Sequence, residues 1–358
     1  MTAEYSELSD RHGSADYTES AGRRTSVSEE SHLMKTLVLT RYDVEQVSTM
    51  GLAVAAVERA FAGFGRGEAS MPPKVYLPIE DHDGDFRAMP ARLGDSAGIK
   101  WVNVHAQNRK RFGLPTVMAV YVLNDPANAF PLAVMDGTLL TALRTGAAGA
   151  VASKYLAKEA PKTIGFIGCG AQAYTLHGAH QVVFDGFESL AHDHNAATAE
   201  RFAARAGARV VSLEEAAGAD IVCTATPSRT PFLHAQWVQP GAHINAMGAD
   251  APGKQELSAE TLKRAAVYID DIHQATASGE INVPFANGDF TVDEIVGTLG
   301  EVVAGVQPNP APETTTIFDS TGLAIQDVSL ARAIYEAAKS RSIGREIDLL
   351  GVDSPARG

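Results

Sequence analysis

The chain has 358 residues, 45% of them hydrophobic and 20% charged, and 30 basic against 43 acidic side chains give a net charge of −13. That length can bury a real core and suits two domains, while the acidic balance argues against a nucleic-acid surface and selects no substrate. Cys169 and Cys223 lie in apolar strand or turn contexts and read as reduced buried thiols, and no apolar run approaches the length of a membrane span.

Residues 1–33 are polar, rich in Ser, Glu and Arg, and without the hydrophobic stretch of a signal peptide. They are expected to form a disordered N-terminal extension of a cytoplasmic protein. Lys35–Leu39 reads as a strand. Asp43 to Phe64 then spaces Val44, Val47, Leu52, Val54, Val57 and Phe61 at roughly helical intervals and predicts one helix. Five strand-like runs follow between Pro72 and Val134: Val75–Leu77, Phe86–Met89, Ile99–Val104, Thr116–Leu123 and Pro131–Val134. Asp136 can cap a long helix through Leu156, with Leu139, Leu140, Leu143, Ala147 and Val151 along one side.

Beyond that helix the chain changes character. Lys162–Ile167 is a short apolar run with β-branched residues, and Gly168-Cys-Gly-Ala-Gln-Ala173 turns it into a helix-compatible segment. A phosphate can rest on such a helix N-terminus only where no side chain blocks the turn, which is what Gly168 and Gly170 provide. A second strand-like segment, 188–193, ends on Asp193, 23 residues after Gly170. Strand, turn, helix and acid in that order predict a dinucleotide site with Asp193 on the adenosine ribose. Its carboxylate would repel a 2′-phosphate, so NAD is expected rather than NADP. Further alternation (helix 196–206, then strands 208–211, 219–225, 242–247 and 266–270) predicts a parallel sheet with crossover helices. Gln307–Pro312 reads as a stiff linker, and Thr316–Lys339 as a strand end plus a helix returning to the first domain. The expected fold class is α/β: a Rossmann domain over 145–315 and a mixed α+β domain over 34–144, completed by 316–350.

A few charges stand in odd places. Lys74 follows two prolines, Arg87 sits within Asp-Phe-Arg-Ala-Met-Pro, Lys100 opens an apolar strand, and Arg144 lies in the long helix. Cations so placed suit a small acidic substrate, since a guanidinium grips a carboxylate at two points and an ammonium polarises a carbonyl. The competing reading is four ordinary solvated or capping charges, weakened for Lys100 and Arg144 by their apolar neighbours. Asp250 follows a strand end at Met247, where ligands bind in parallel sheets, and reads either as a proton acceptor or as a turn-stabilising residue. Asp319, Ser320 or Thr321 could cap the last helix, and a role beside the nicotinamide would require this segment to fold back against the nucleotide domain. The histidines are scattered without metal-ligand spacing, so no metal is expected.

Four segments in order, Ala142-Leu-Arg-Thr-Gly-Ala-Ala148, Gly168–Ala173, Gly248-Ala-Asp-Ala-Pro-Gly-Lys-Gln-Glu-Leu257 and Phe318-Asp-Ser-Thr-Gly-Leu-Ala324, resemble the ornithine cyclodeaminase/μ-crystallin family. The resemblance runs from about Met34 to the C-terminus. It implies a homodimer in which a β-rich substrate-binding and dimerisation domain joins a Rossmann domain binding NAD(P). It also implies roles for single residues. Lys74, Arg87, Lys100 and Arg144 would meet the substrate, and Asp250, with Lys100, would be catalytic. Thr116, Arg144, Thr145, Gly168, Gly170, Ala171, Gln172, Asp193, Thr226, Met247, Gly248, Lys254 and Ser320 would meet the cofactor.

Members of the family run different reactions. Two features resemble its archaeal-type alanine dehydrogenase branch. A cation, Arg87, stands near where bacterial cyclodeaminases carry an acid, and would repel a second substrate ammonium by about 1–4 kcal/mol at about 4 Å. Gln255 replaces a threonine of the cyclodeaminase pattern. The expected function is therefore an NAD-dependent L-amino-acid dehydrogenase, alanine giving pyruvate and ammonia. The alternatives are an ornithine cyclodeaminase, a ketimine reductase and a non-enzymatic small-molecule binder. In the expected mechanism Arg144 and Lys74 hold the carboxylate, Lys100 polarises the carbonyl, and Asp250 handles protons of the amine and water.

Overall fold

The computed structural model describes residues 34–351, so the expectation for 1–33 lies outside the described residues. The strand-like runs of the first part pair into one eight-stranded sheet. Its members are β1 (Thr36–Leu39), β2 (Ala69–Ser70), β3 (Val75–Ile79), β4 (Gly84–Leu93), β5 (Ser96–His105), β6 (Val117–Asn124), β7 (Pro131–Asp136) and a late strand, Arg345–Ile347. The order is late strand–β1–β7–β6–β5–β4–β2, with β3 on β4. Only β1 and β7 pair in parallel; the other pairs are antiparallel.

Alternation along β4 to β6 decides which side chains reach the interior. Arg87, Met89 and Ala91 are buried on β4, and Lys100 and Val102 on β5. Register sets Arg87 opposite Val102, and Lys100 between Met89 and Tyr121. Two cations thus occupy positions that an ordinary sheet core gives to aliphatic residues. The opposite face carries Val75, Ala88, Trp101 and Val120 in register across four strands, and Val75, Trp101 and Val120 of that row are exposed.

The second sheet contains β8 (Thr163–Ile167), β9 (Glu188–His192), β10 (Arg209–Val210), β11 (Ile221–Thr224), β12 (His243–Ala246), β13 (Ala266–Ile269), β14 (Ile295–Thr298) and β15 (Thr316–Asp319). All its pairs are parallel, in the order β10-β9-β8-β11-β12-β15-β13-β14. This is the doubly wound α/β sheet, and its strand order reverses between β8 and β11, which opens a crevice at their carboxyl ends.

Helix Gly137–Leu156, the linking helix, belongs to both halves. Asp136 caps it through Thr138 N–H (3.2 Å) and Leu139 N–H (2.8 Å). The sequence suggested one apolar side, yet the helix is buried almost all round, packed between the helices Met50–Gly65, Ala171–Val183 and Ala324–Arg341. Small residues make this possible: a Cβ on Gly146 would stand 2.4 Å from the Thr175 carbonyl. The expected domain boundary at 144/145 therefore falls inside a single helix. Thr316–Asp319 likewise belongs to the second sheet, and the return to the first begins with helix Ala324–Arg341, which packs on β4 and β5. The single helix expected over 43–64 is two, Arg41–Val47 and Met50–Gly65, meeting at 87°. Ser48 and Thr49 are extended, and the Thr49 side chain caps the second helix by accepting from Leu52 N–H. Among the described residues no single helix is long and apolar enough to cross a membrane.

Candidate active site

The glycine turn forms as its spacing requires. Gly168 takes φ +89°, and a Cβ there would lie 2.7 Å from the Ala225 carbonyl oxygen. Gly170 is the N-cap of helix Ala171–Val183 and offers no side chain, so the first N–H groups of Ala171 and Gln172 face outward without a cap. A Cβ on Gly170 would meet nothing within 4 Å, which leaves room for an anion over the helix terminus. Asp193, just past β9, accepts from Cys169 N–H at 2.9 Å and from Asn195 N–H at 2.9 Å, which ties it to the turn. A dinucleotide fits this cradle: pyrophosphate on the helix terminus and a ribose beside Asp193. Cys169 and Cys223 are both buried, and burial pushes each thiol up to about 12.

From the turn, a cleft of about 230 Å³ runs between the crevice of the second sheet and the inner face of the first. Thr145, Gln172, Thr226, Met247, Gly248, Lys254 and Ser320 line it. So do Lys74, Arg87, Lys100, Arg144 and Asp250, which brings the expected substrate and catalytic residues together. Gly168, Gly170, Ala171 and Asp193 form the turn beyond it. Thr116 is not among the lining residues: its carbonyl accepts from His105 N–H, and Val117 stands at the wall instead. Met89, Val102, Val104 and Val117 make the cleft's apolar side.

The cations are held by acids that the sequence reading left unassigned. Lys100 has no solvent exposure and lies 2.9 and 2.7 Å from the two Asp327 oxygens. Burial and then the nearby Arg144 charge pull its ammonium down to about 7, with Asp327 opposing. Arg144 places Nε 3.4 Å from Asp327 and donates through Nη1 to Gln326 at 3.2 Å. Lys74 donates to the Thr321 carbonyl at 2.6 Å; burial lowers it to about 8 while Asp270 pulls the other way. Asp270 is fully buried and accepts from Thr321 N–H, Thr321 Oγ1 and Gly322 N–H, which fixes the loop after β15. Glu256 does the same beneath the opposite wall, accepting from Thr226 N–H and Oγ1 and from Gly248 N–H.

Arg87 is not the free cation that the sequence suggested. It makes two bonds to Asp85 (3.0 and 2.9 Å) and one to Asp250 (3.1 Å), and lies over the Tyr76 ring. Burial works against its charge, but these partners raise its pKa above the ordinary value. The repulsion expected from Arg87 is therefore largely neutralised. Asp250 also accepts from Lys254. Burial alone would raise its carboxyl, but Lys254, Arg87 and Lys74 outweigh that and hold it at about 2. Asp250 is thus a standing anion rather than a ready base.

Asp327 and Asp270 could have been found by one signal. Each is an acid inside an apolar segment, Leu323-Ala-Ile-Gln-Asp-Val-Ser-Leu330 and Ala266-Val-Tyr-Ile-Asp270, where a buried carboxylate requires partners.

The ornithine cyclodeaminase/mu-crystallin family model matches residues 34–342. An alanine dehydrogenase of Archaeoglobus fulgidus is 50% identical over 320 residues, 88% of this chain and 98% of that protein. The ketimine reductase mu-crystallin of Rattus norvegicus is 33% identical over 306 residues, 83% of this chain and 95% of that protein. A solved archaeal alanine dehydrogenase dimer with bound NAD superposes with a TM-score of 0.85 at 50% identity, covering 88% of this chain and 100% of that one.

Proposed function

The chain belongs to the ornithine cyclodeaminase/mu-crystallin family, and from that premise we propose that it is an NAD-dependent L-amino-acid dehydrogenase acting on alanine. The observation that carries this reading is the division of the cleft. Lys74 and Arg144 line it where they can receive one carboxylate, Lys100 lines it for the reacting carbonyl, and the apolar wall of Met89, Val102, Val104 and Val117, on the sheet face that carries Lys100, suits a small aliphatic side chain. Asp85 and Asp250, beside that wall, are already engaged by Arg87 and Lys254, so neither is free to receive the second ammonium of ornithine.

The overall change is L-alanine, NAD and water giving pyruvate, ammonium, NADH and a proton. Bound NAD supplies the acceptor for the hydride leaving Cα. Gly168 and Gly170, the N–H groups of Ala171 and Gln172, and Asp193 would hold its adenosine half. Thr145, Thr226, Met247, Gly248, Lys254 and Ser320 would hold its other end, along the cleft. Arg144 and Lys74 grip the substrate carboxylate, which fixes Cα against the cofactor side. Lys100, near 7, can take or return a proton at the reacting nitrogen or carbonyl oxygen at working pH. Asp250, held as an anion, stabilises positive charge developing on nitrogen and accepts a hydrogen bond from the attacking water.

The protein is a homodimer on the same reading. The row Val75, Trp101 and Val120 leaves apolar surface on the outer face of the first sheet, and the solved relative is a dimer. A panel comparing kcat/KM for alanine, ornithine and a cyclic imine tests the substrate assignment. Alanine should lead, and a lead for either other compound would overturn it.

A further inference from the structure

Two adjacent residues at the start of helix Ala324–Arg341 reach into the site from behind. Gln326 takes Arg144, and Asp327 takes Lys100, with Arg144 Nε also 3.4 Å from its carboxylate. Lys100 and Asp327 both have no exposure, and they come from different elements, a strand of the first sheet and the helix packed on it. A buried pair of this kind contributes little to stability by itself, because apolar residues of the same volume would pack as well. The expense makes sense if the cation is needed at the cleft, which Lys100 lines.

We propose that Asp327 is a positioning residue: it keeps Lys100 charged and aimed into the cleft, and with Gln326 it spaces Lys100 from Arg144. This rests on the dehydrogenase reading for its consequence, but not for its physical content. The groups that face Lys100 are Arg144 on the linking helix, Lys74 ahead of β3, Tyr121 opposite it on β6, and Asp327. Two of these are cations, which oppose its charge. Tyr121 is buried with its hydroxyl unpartnered, and neutral. Asp327 therefore supplies the one negative charge among these neighbours. Without it, burial and two neighbouring cations leave Lys100 neutral near pH 7. The reacting carbonyl then loses the ammonium that polarises it.

The experiment is a titration of Lys100 in full-length protein with ¹³Cε-labelled lysine, its signal identified by its absence from Lys100→Met. Asp327→Asn keeps the shape and removes the charge, and should move the Lys100 midpoint down by about 1–3 pH units. The same variant should raise KM for pyruvate by about 10–100-fold, the loss of one charge-assisted contact, with NADH affinity by fluorescence unchanged. Asp327→Glu, which keeps the charge, should restore most of the midpoint. An unmoved Lys100 midpoint in a folded Asp327→Asn protein overturns the proposal. If that variant does not fold, the wild-type Asp327 carboxyl carbon decides: it should show an inflection at the Lys100 midpoint, and its absence overturns the proposal. Should wild type not turn over alanine at all, the dehydrogenase reading fails while the titration still judges the role of Asp327.

Discussion

Gly322 lies directly beneath the guanidinium of Arg144: a Cβ built on it would stand 2.3 Å from Nη1. The glycine is required twice over, because its φ of +76° is a left-handed conformation that L side chains adopt at a cost. Asp270 holds the loop in that conformation through the N–H groups of Thr321 and Gly322. Gly322→Ala should lose about 1–2 kcal/mol of stability from backbone strain alone. It should also displace Arg144 and raise KM for pyruvate by about tenfold or more, a charge-assisted contact weakened. Urea unfolding and steady-state kinetics check the two effects separately.

Substrate affinity should depend on pH with a definite sign. On the proposed reading Lys74 meets the substrate carboxylate and Lys100 the carbonyl only when protonated, and burial draws both below an ordinary lysine, to about 8 and about 7. Both are charged below pH 7, and the charge is lost as pH rises through that window. KM for pyruvate in the reductive direction should therefore climb between pH 7 and 8. Binding should take up protons there, which calorimetry in buffers of different ionisation heat measures. Lys100→Arg, always charged, should flatten the lower part of the rise.

Asp250→Asn keeps the size of the side chain but removes the anion that faces Arg87 and Lys254. Turnover of alanine should fall by about 10²–10³-fold, as when one preorganised electrostatic group is lost. NADH affinity should hardly change. Near-normal turnover would mean that Asp250 only shapes the turn after β12.

Asp193 should decide between cofactors. Its carboxylate sits on the glycine turn through Cys169 N–H, where a 2′-phosphate would meet a negative charge. Replacing Asp193 with Ser should weaken NADH binding and narrow the preference over NADPH by about tenfold or more, the equivalent of one charge-assisted contact. Fluorescence titration with both cofactors measures it, and an unchanged ratio would remove Asp193 from that role.

Much of this arrangement was legible in the chain because it follows from local rules. The glycine turn needs Gly168 and Gly170 for steric reasons that act within a few residues. Lys100 and Arg144, set amid apolar neighbours, likewise pointed to a site. What the sequence could not show is how charges from distant segments meet. Arg87 read as a free cation because Asp250 reaches it only once β4 faces the end of β12, and the local pairing with Asp85, two residues earlier on β4, was overlooked. Asp250 read as a base for the same reason, since Lys254, Arg87 and Lys74 together depress it only in the folded cleft. Asp327 escaped because the acid of a helix first turn is usually a surface group favoured by the helix dipole. Its partner, Lys100, lies 227 residues away in the chain. The break between the two early helices was missed because the apolar spacing continues across Ser48 and Thr49.

On the proposed reading hydride passes from alanine Cα to NAD with net release of NADH and ammonia. Incubating the purified protein with L-[2-²H]alanine and NAD in water, beside a parallel incubation with ornithine, separates this from cyclodeamination. One deuterated NADH, one ammonium and one pyruvate are expected per turnover, and no NADH from ornithine. Proline and ammonia from ornithine without net NADH, with no deuterium transfer from alanine, would contradict this reading.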